Sequence, residues 1–458
     1  MHVLKRICLI VIAILCGLLL LGGVARALVA LKVVSLRTVT GMTAATLPSD
    51  LYGHTNILLL GQGDETHDGV DLTDSIMIAS LDPGNSKSIV LLSIPRDLYF
   101  METETMGTGR VNALFRDEKW RLIHQEDMEE TEAEKMAVRK LADEIGKAFG
   151  LELHHVLKVD FVGFVKAVDA LGGVSIVVPE TIVDREYPGP NYGYETFMIE
   201  SGPQTIDGET ALKYARSRHT TSDFSRSARQ QQIIKALGEK IKNDGVFSSP
   251  SKLLSLLEIL QDHVQTTMTV RELSGLAEMG MDLDHSRMLA MQINNSNGLY
   301  GAGVEPGGFL YSPPRDQFGG ASVMLPVSIP EFPVTWKQLQ TLTRLLMHTR
   351  SPYLARPTIN VLNAGARAGS SRLLAGELIR YGFVVDKIEN AEIEDLPVSY
   401  ISAGSEPDLE LARFFAELLK LELRPLPPGL PPEKIGRIVI FLGEDYAYTP
   451  LQELLTNP

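Results

Sequence analysis

Three uninterrupted apolar runs in the first quarter of the chain constrain its fold more than any other feature. They occupy residues 56–60, 75–79 and 88–94, and none shows the alternation of a half-exposed strand. Strands of this kind are buried on both faces, which requires a sheet with helices on each side. A turn sequence at 82–85 joins the second run to the third. The pattern therefore predicts a central sheet in an α/β fold.

Helical and strand-like segments alternate after these runs, as expected for an α/β chain. Helices are predicted at 132–149, 161–171, 207–215, 225–242, 248–264 and 270–281, with strands at 156–160 and 174–178. After a break at 350–357, a second unit is predicted from a strand at 358–363, a helix at 371–381, a strand at 383–387 and an apolar run at 438–443. The predicted fold is a central mixed β-sheet covered by helices on both faces, followed by a smaller C-terminal α/β domain.

The chain begins with an apolar segment. Residues 7–25 carry no charge and are long enough to span a bilayer core of roughly 30 Å. Lys5 and Arg6 precede the segment, which predicts a cytoplasmic N-terminus and an extracytoplasmic remainder. The alternative is a cleaved signal peptide, because Ala25-Arg26-Ala27 resembles a processing site. The predicted organisation is a tail and transmembrane helix at 1–31, a linker at 32–50, a first domain at 51–350 and a second at 357–458.

Charge and cysteine content exclude several classes of function. The chain has 43 basic and 57 acidic residues, a formal net charge of -14, which argues against a nucleic-acid-binding surface. Both cysteines, Cys8 and Cys16, lie in the first apolar segment. The rest of the chain therefore has no thiol for a disulfide or a metal site. Because the chain is acidic overall, a site for anions must be formed by basic residues gathered at one place.

Two arginines are predicted to point into the core. The helix at 225–242 has an apolar stripe that includes Ile233 and Leu237, and projected backward this stripe passes through Arg226, Arg229 and Gln230. A buried guanidinium is costly unless an anion pairs with it. The helix therefore indicates a local anion site near its N-terminus.

Three more arginines fall close to the same place. Arg216 and Arg218 end the preceding helix, and Arg96 directly follows the apolar strand at 88–94. Ligands tend to bind at the carboxyl ends of strands in open α/β sheets. The planar fork of arginine also suits phosphate oxygens. Together the five arginines predict a pocket for a multiply charged anion.

Each arginine also has a local explanation. Glu209 and Asp223 are close enough in sequence to pair with the helical arginines, and Asp97 adjoins Arg96. Such a pair is the more ordinary explanation for any single arginine. The gathering of several arginines favours the pocket.

A pocket that activates a phosphoryl group also needs a hard cation, and Mg²⁺ prefers carboxylate oxygens. The segment after the first apolar run supplies Asp64, Asp68, Asp71 and Asp74. Its paired glycines do not complete a dinucleotide fingerprint. The sequence contains no nucleophile elbow, Cys–His pair or HExxH motif. We therefore predict Mg²⁺ as cofactor and regard ordinary hydrolase chemistry as disfavoured.

Seven short motifs occur in order between residues 55 and 245: NILLLG at 56–61, LTDS at 72–75, SIPRD at 93–97, RVN at 110–112, VDALGG at 168–173, ARSRH at 215–219 and DFSRSARQ at 223–230. As a set they resemble the LytR-CpsA-Psr phosphotransferases, which attach cell-wall glycopolymers to peptidoglycan. The segments 359–365, 381–385 and 390–391 are similar to a C-terminal domain that often accompanies this family.

The resemblance implies roles for individual residues. It implies catalytic roles for Arg96, Asp97, Arg218 and Arg226 and a metal-binding role for Asp74. The substrate pyrophosphate would be bound by Arg96, Arg110, Arg216, Arg218, Arg226, Arg229 and Gln230. The chain departs from the family pattern at two positions, where Gly63 replaces an Asp and Leu72 replaces an Arg. Asp64, Asp68 and Asp71 are therefore candidates for the second metal-binding carboxylate.

The implied protein is a single-pass bacterial membrane enzyme with an extracytoplasmic catalytic domain. It would move a glycan phosphate from a polyprenyl-pyrophosphate carrier to peptidoglycan, with no nucleic-acid partner. One alternative, favoured by Gly63, is a non-catalytic receptor for lipid pyrophosphate or anionic wall polymer. Another is a lipid pyrophosphate hydrolase. The glycan and the oligomeric state are not determined by the sequence.

Overall fold

A computed structural model of the chain describes residues 45–63, 71–189, 193–217, 223–245, 256, 259, 262–295, 308–327, 335–393, 395–428 and 436–456. Within these residues no helix combines the length and the apolar character needed to cross a membrane. The predicted transmembrane helix at 7–25 lies outside the described residues, and so does most of the helix predicted at 248–264. The described chain has a mixed α/β fold with two larger sheets.

The first sheet has six strands in the order β11-β6-β1-β2-β3-β12. Strands β1 and β6 run parallel, as do β3 and β12, while β2 is antiparallel to both of its neighbours. The sheet is therefore mixed, as predicted. Its strands are β1 (Thr55–Gln62), β2 (Thr73–Asp82), β3 (Ser88–Ile94), β6 (His155–Asp160), β11 (Val264–Thr266) and β12 (Met288–Gln292).

The three apolar runs form the centre of this sheet. Every residue of β3 is buried, which confirms that its continuous hydrophobicity reflects burial on both faces. Leu58 and Leu60 of β1 belong to one hydrophobic cluster, and Ile57 belongs to another on the opposite face. The alternation of side chains along a strand explains this division.

Helices cover both faces of the first sheet. Helices α1 (Val111–Gln125) and α2 (Glu130–Phe149) pack in the cluster of Leu58 and Leu60. Helices α5 (Asp223–Asn243) and α6 (Val270–Asp282) contribute to the cluster of Ile57. Gly150 ends α2 with a φ of 66°, the left-handed conformation that suits glycine after a helix.

A third group of elements packs beside the sheet around Val168, Ile176 and Tyr214. Asp207 accepts a hydrogen bond from the backbone N–H of Thr210, which confirms it as the N-cap of the following helix. The sequence did not predict the hairpin of β8 and β9. The group contains α3 (Phe161–Ala170), β7 (Val174–Val178), β8 (Ile182–Pro188), β9 (Tyr194–Ile199), β10 (Gly202–Ile206) and α4 (Gly208–Arg216).

The second larger sheet has five strands in the order β16-β15-β19-β17-β18. The strand predicted at 358–363 and the following helix are confirmed within one residue. The unit contains β15 (Thr358–Asn363), α9 (Ser370–Arg380), β16 (Val384–Asn390), β17 (Tyr400–Ala403), α10 (Leu409–Leu419), β18 (Glu422–Leu423), β19 (Ile438–Leu442) and α11 (Leu451–Thr456). Short elements elsewhere are β4 (Tyr99–Phe100), β5 (Gly109–Arg110), β13 (Leu310–Tyr311), β14 (Leu325–Pro326), α7 (Lys337–Thr343) and α8 (Arg350–Ala355).

The two larger sheets share one continuous apolar cluster. It contains Leu58 and Val90 of the first sheet together with Ile359 and Ile440 of the second. The ring of Tyr353 on α8 stacks on Phe383, with 4.9 Å between ring centroids. The predicted division at 350–357 therefore falls within a packed segment of the chain.

Two histidines lie near the amino end of β1, His54 buried and His348 partly buried. The His348 ring stacks on Tyr52 with 3.8 Å between centroids, and His54 is only 3% exposed. Burial lowers the pKa of His348 to about 4 from an ordinary value of 6.5, although Asp50 opposes the shift. Burial and the nearby Arg350 also lower the pKa of His54, against the attraction of Asp50 and Asp82. Both rings are therefore neutral in the folded protein at pH 7.

We predict that acid destabilises the fold through these rings. A histidine with a lowered pKa binds fewer protons in the folded than in the unfolded chain, so stability is complete above about pH 6.5 and falls toward pH 4. Replacing His348 with Phe keeps a ring on Tyr52 and should flatten this decline. The measurement is the urea midpoint of both proteins between pH 7.5 and 4.5. Equal pH dependence in the two proteins would refute the prediction.

Candidate active site

The carboxyl ends of β1, β3, β6 and β12 meet the amino end of β2 at one edge of the first sheet. A cleft opens at this edge, with a volume of about 420 Å³ that includes the solvent at its mouth. Its position is the one expected for a ligand site in an open α/β sheet. Polar side chains that line it include Asp74, Ser75, Arg96, Asp97, Arg226 and Gln230.

Arg96 and Asp74 form an ion pair in the cleft. Arg96 follows β3 and Asp74 begins β2, and their Nη1 and Oδ2 atoms are 3.0 Å apart. The amide of Asn112, in the first turn of α1, donates to the other oxygen of Asp74 at 3.0 Å. The predicted Arg96–Asp97 pair is longer, at 3.8 Å. Arg96 is thus held by two carboxylates while its side chain stays 23% exposed to the cleft.

A second arginine, Arg110 on β5, contacts the cleft residue Asp97 but does not itself line the cleft. Arg110 Nη1 lies 3.4 Å from Asp97 Oδ1, and its side chain is 38% exposed. Asp97 therefore lies between two guanidinium groups, Arg96 and Arg110. This arrangement holds two positive charges at one side of the cleft, and neighbouring guanidinium groups of this kind suit a multiply charged anion.

Helix α5 supplies further side chains that line the cleft. Arg226 and Arg229 are 7% and 6% exposed, which confirms that both point inward from the first turns of the helix. Arg226 lines the cleft. Gln230 accepts a hydrogen bond from the Ser75 hydroxyl at 3.0 Å and donates to the carbonyl of Ala215 at 3.4 Å. Gln230 thereby ties the start of β2 to the end of α4.

Arg229 has a different environment from Arg226. Its Nε donates to the Tyr214 carbonyl at 2.8 Å, and its Nη2 donates to the Ser217 carbonyl. Burial lowers the pKa of Arg229. The carbonyl groups at a helix C-terminus carry partial negative charge, so Arg229 stabilises the end of α4. Arg229 is not among the side chains that line the cleft.

Arg216 ends α4 beside two aromatic rings. Its guanidinium carbon lies 4.3 Å from the ring centroid of Phe161 and 5.5 Å from that of Tyr187. Glu209, one of the acids considered as a partner for these arginines, pairs instead with Lys213 at 3.2 Å. Arg218 and the side chain of Asp223 lie outside the described residues.

The predicted metal ligands are only partly covered by the structure. Asp74 lines the cleft, whereas Asp64 and Asp68 lie outside the described residues. Asp71 is ion-paired with Lys119 at 3.3 Å and accepts a hydrogen bond from Gln62 at 2.9 Å. No group of three or more His, Cys, Asp or Glu side chains in the described part of the chain could hold a metal ion. Mg²⁺ binding therefore stays a prediction.

Several residues that build this site had no role predicted from the sequence. Asn112 and Ser75 lie within the RVN and LTDS motifs, and both bind residues of the predicted site. Gln231 donates to the Ser93 hydroxyl and to the Met291 carbonyl, each at 2.9 Å. The motifs were the available signal for Asn112 and Ser75. Nothing in the local sequence indicated the contacts of Gln231, which span 60 residues or more.

The fold and the site define an α/β protein with an arginine-lined cleft at the carboxyl edge of its central sheet. Residues 38–306 match the LytR_cpsA_psr family. This region is more than half of the 458-residue chain. The chain belongs to the LytR-CpsA-Psr family, as the motifs predicted.

Two relatives illustrate the similarity. The chain is 30% identical over 224 residues to the cell wall biosynthesis protein LcpA of Corynebacterium glutamicum, a match covering 46% of this chain and 41% of that protein. It is 29% identical over 223 residues to the polyisoprenyl-teichoic acid–peptidoglycan teichoic acid transferase TagU of Oceanobacillus iheyensis, covering 48% of this chain and 61% of that protein. The chain thus spans less than two thirds of the length of either relative.

A solved structure from the same group of proteins is also similar. The crystal structure of TagV from Bacillus subtilis aligns with a TM-score of 0.46 and 19% sequence identity. The alignment covers 65% of this chain and 98% of TagV.

Proposed function

We propose that this protein is a phosphotransferase that moves a glycan phosphate from a polyprenyl-pyrophosphate carrier to peptidoglycan. The observation that carries the proposal is the cleft lined by both Arg96, which follows β3, and Arg226, on α5. The TagU relative, whose name describes transfer of teichoic acid to peptidoglycan, supports the choice of donor and acceptor.

The arginines of the cleft suit a pyrophosphate better than a ligand with a single negative charge. Arg96 and Arg110 bracket Asp97 on one side, and Arg226 reaches the cleft from α5. Two linked phosphates spread their charge over several oxygens, and guanidinium groups on both sides can bind them together. We infer that Arg96 would exchange part of its contact with Asp74 for a phosphoryl oxygen when the donor binds.

The proposed reaction is an in-line substitution at phosphorus. A hydroxyl oxygen of the acceptor sugar bonds to the glycan-side phosphorus while the bond to the bridging oxygen breaks. The products are a glycan phosphodiester and polyprenyl phosphate. The hydroxyl proton passes to a nearby base, for which Asp97 is the candidate because it lines the cleft. The arginines stabilise the charge on the phosphoryl oxygens, so catalysis is mainly positioning and electrostatics.

The enzyme would carry out this reaction outside the cell membrane. Residues 7–25 are uncharged, follow Lys5 and Arg6, and would hold the chain in the bilayer with its N-terminus in the cytoplasm. A membrane-bound enzyme meets a lipid-linked donor in the plane of the same bilayer. This location suits a reaction between a polyprenyl carrier and the cell wall.

The test is to incubate the full-length protein with a polyprenyl-pyrophosphoryl glycan, peptidoglycan oligomers and Mg²⁺, and to identify the products by mass spectrometry. Glycan phosphate joined to peptidoglycan supports the proposal. Glycan phosphate released into water indicates the hydrolase alternative. Donor binding without any turnover indicates the receptor alternative. Either of the last two results would refute the transferase.

Mg²⁺ fits this site as a partner of the donor. Mg²⁺ is usually held by one or two carboxylates together with substrate phosphates and water. Asp74 lies in the cleft lining with 40% of its side chain exposed, and Asp64 and Asp68 are candidates to assist it. When bound, the ion would neutralise charge on the phosphoryl oxygens.

We predict that replacing Asp74 with Asn raises the Mg²⁺ concentration needed for half-maximal transfer by about tenfold or more, because the site loses its carboxylate. The measurement is transfer rate against Mg²⁺ concentration. Asp117→Asn is the matched control, since Asp117 is 52% exposed and pairs with Arg116 on the surface. An unchanged Mg²⁺ requirement in Asp74→Asn would contradict the assignment.

A further inference from the structure

The side chain of Arg216 is held by two aromatic residues from different elements. The guanidinium lies over the Phe161 ring at 4.3 Å and near the Tyr187 ring at 5.5 Å. Its Nη1 also donates to the Tyr187 hydroxyl at 3.3 Å. Stacking uses the face of a guanidinium, whereas hydrogen bonds to phosphate use the N–H groups at its edge. An arginine fixed in this way keeps the geometry needed to bind phosphate oxygens.

Phe161 is itself held firmly at the sheet edge. It is the first residue of α3 and follows Asp160, which accepts from the N–H of Gly163 at 2.7 Å and caps the helix. The His263 ring also contacts the Asp160 carboxylate, with 3.0 Å between Nδ1 and Oδ2. Two contacts on Asp160 therefore fix the start of the helix and, with it, the position of the Phe161 ring.

Helices α3 and α4 approach each other closely enough to bring Arg216 over this ring. A Cβ atom placed on Gly208, at the start of α4, would lie 2.3 Å from the Val165 carbonyl oxygen. Only glycine allows this contact without a shift of backbone. Tyr187 on β8 is 3% exposed and has little freedom to move. Arg216 thus lies between two aromatic side chains, of which Tyr187 is buried.

This arrangement is connected to the cleft through its neighbours in the fold. A Cβ atom on Gly63, directly after β1, would lie 3.7 Å from the Phe161 ring. The carbonyl of Ala215, next to Arg216, accepts a hydrogen bond from the cleft residue Gln230. The aromatic pair therefore connects Arg216 both to the end of β1 and to the helix that supplies Arg226.

We propose that Phe161 and Tyr187 are positioning residues that hold Arg216 for the donor pyrophosphate and thereby set the affinity of the enzyme for its donor. This proposal rests on the proposed function, because it takes the ligand of Arg216 to be that pyrophosphate. The two aromatic residues do not touch the reacting atoms. Their substitution changes donor binding more than the rate at saturating donor.

The experiment measures binding of farnesyl pyrophosphate to the full-length protein by calorimetry, and donor KM and kcat in the transfer assay. We expect Phe161→Leu to weaken binding and raise KM by about three- to tenfold, with kcat changed by less than about twofold. Phe161→Tyr, which keeps an aromatic face, should restore affinity to within about twofold of the wild type. Tyr187→Phe keeps the ring, removes the hydrogen bond and should weaken binding by about two- to threefold.

A double-substitution cycle separates positioning from a general structural effect. If Phe161 acts through Arg216, then Phe161→Leu together with Arg216→Ala should bind no more weakly than Arg216→Ala alone. Phe414→Leu is the matched control, because Phe414 packs edge-on against Phe415 in α10, in the unit of the second sheet. Its farnesyl pyrophosphate affinity should equal that of the wild type.

Three results would overturn the proposal: full affinity in Arg216→Ala, full affinity in Phe161→Leu, or additive losses in the double variant. Failure of the proposed function has a different signature. If the wild-type protein binds farnesyl pyrophosphate but transfers no glycan phosphate, the transferase is refuted while the binding series still decides the role of Phe161. Thermal unfolding of each variant shows whether it is folded, and Phe161→Tyr provides a second test should Phe161→Leu unfold.

Discussion

Replacing Arg96 with alanine should lower glycan transfer by about a hundred- to a thousandfold, the effect of removing one donor that stabilises charge in a transition state. Arg96 lies between Asp74 and Asp97 at the end of β3 and lines the cleft. Its loss removes a guanidinium from the proposed phosphate site and leaves Asp74 facing the donor without its partner, so repulsion adds to the lost attraction. The measurement is kcat/KM for the donor in the transfer assay.

Two further variants test whether the loss of transfer is due to the guanidinium group of Arg96. Arg96→Lys keeps the charge but loses the planar fork, so its rate should lie between those of the alanine variant and the wild type. Arg116→Ala removes an arginine that is 45% exposed and pairs with Asp117, and it should leave transfer unchanged. Retention of more than about a tenth of wild-type kcat/KM by Arg96→Ala would remove Arg96 from the catalytic site.

Replacing Arg350 with methionine should lower the free energy of unfolding by about 1–3 kcal/mol, the penalty for leaving a buried acceptor without its donor. Arg350 is 3% exposed. Its guanidinium donates to the Ser88 carbonyl at 3.0 Å and to the Ser80 hydroxyl at 2.6 Å, and its Nε donates to the Met347 carbonyl at 2.9 Å. Methionine fills part of the space but leaves these buried acceptors without their donor.

The charge of Arg350 is compensated at a distance. Burial lowers its pKa to about 10, while Asp82 and Asp50 act in the opposite direction. The urea midpoint of Arg350→Met should therefore fall well below that of the wild type. Arg344→Met is the control within the same segment, because Arg344 is exposed and donates to the Leu455 carbonyl. Equal midpoints for the two variants would show that Arg350 does not stabilise the junction of the two sheets.

The cleft and the contacts of Arg350 lie at opposite ends of the strands of the first sheet. The cleft gathers residues at the end of β3, and Ser88 at the start of that strand binds Arg350. The segment that leads into the second sheet therefore packs away from the proposed chemistry. We expect substitutions at Arg350 to act on stability and to leave the donor affinity of the folded fraction unchanged.

The site was predictable in part. The inward direction of Arg226 and Arg229 followed from helical periodicity, and the structure confirms the burial of both side chains. Their different contacts did not follow from it. Both arginines lie on the buried side of α5, but only Arg226 lines the cleft, while Arg229 binds the carbonyl groups that end α4. Which of two buried arginines lines the cleft depends on the end of a neighbouring helix.

The sequence by itself determined the central strands, because short, continuous apolar runs bounded by turns are typical of strands buried on both faces of a sheet. It also determined the family, since the order of the seven motifs is a property of the chain alone.

Only the tertiary structure decided which side chains meet. Asp74 and Arg96 are 22 residues apart, and Ser75 and Gln230 are 155 apart, so their contacts depend on how strands and helices pack. The stacking of Arg216 on Phe161 depends likewise on the close approach of α3 and α4 at Gly208. Local periodicity predicts which face of a helix or strand is buried, but it does not predict which residues of another element pack against that face.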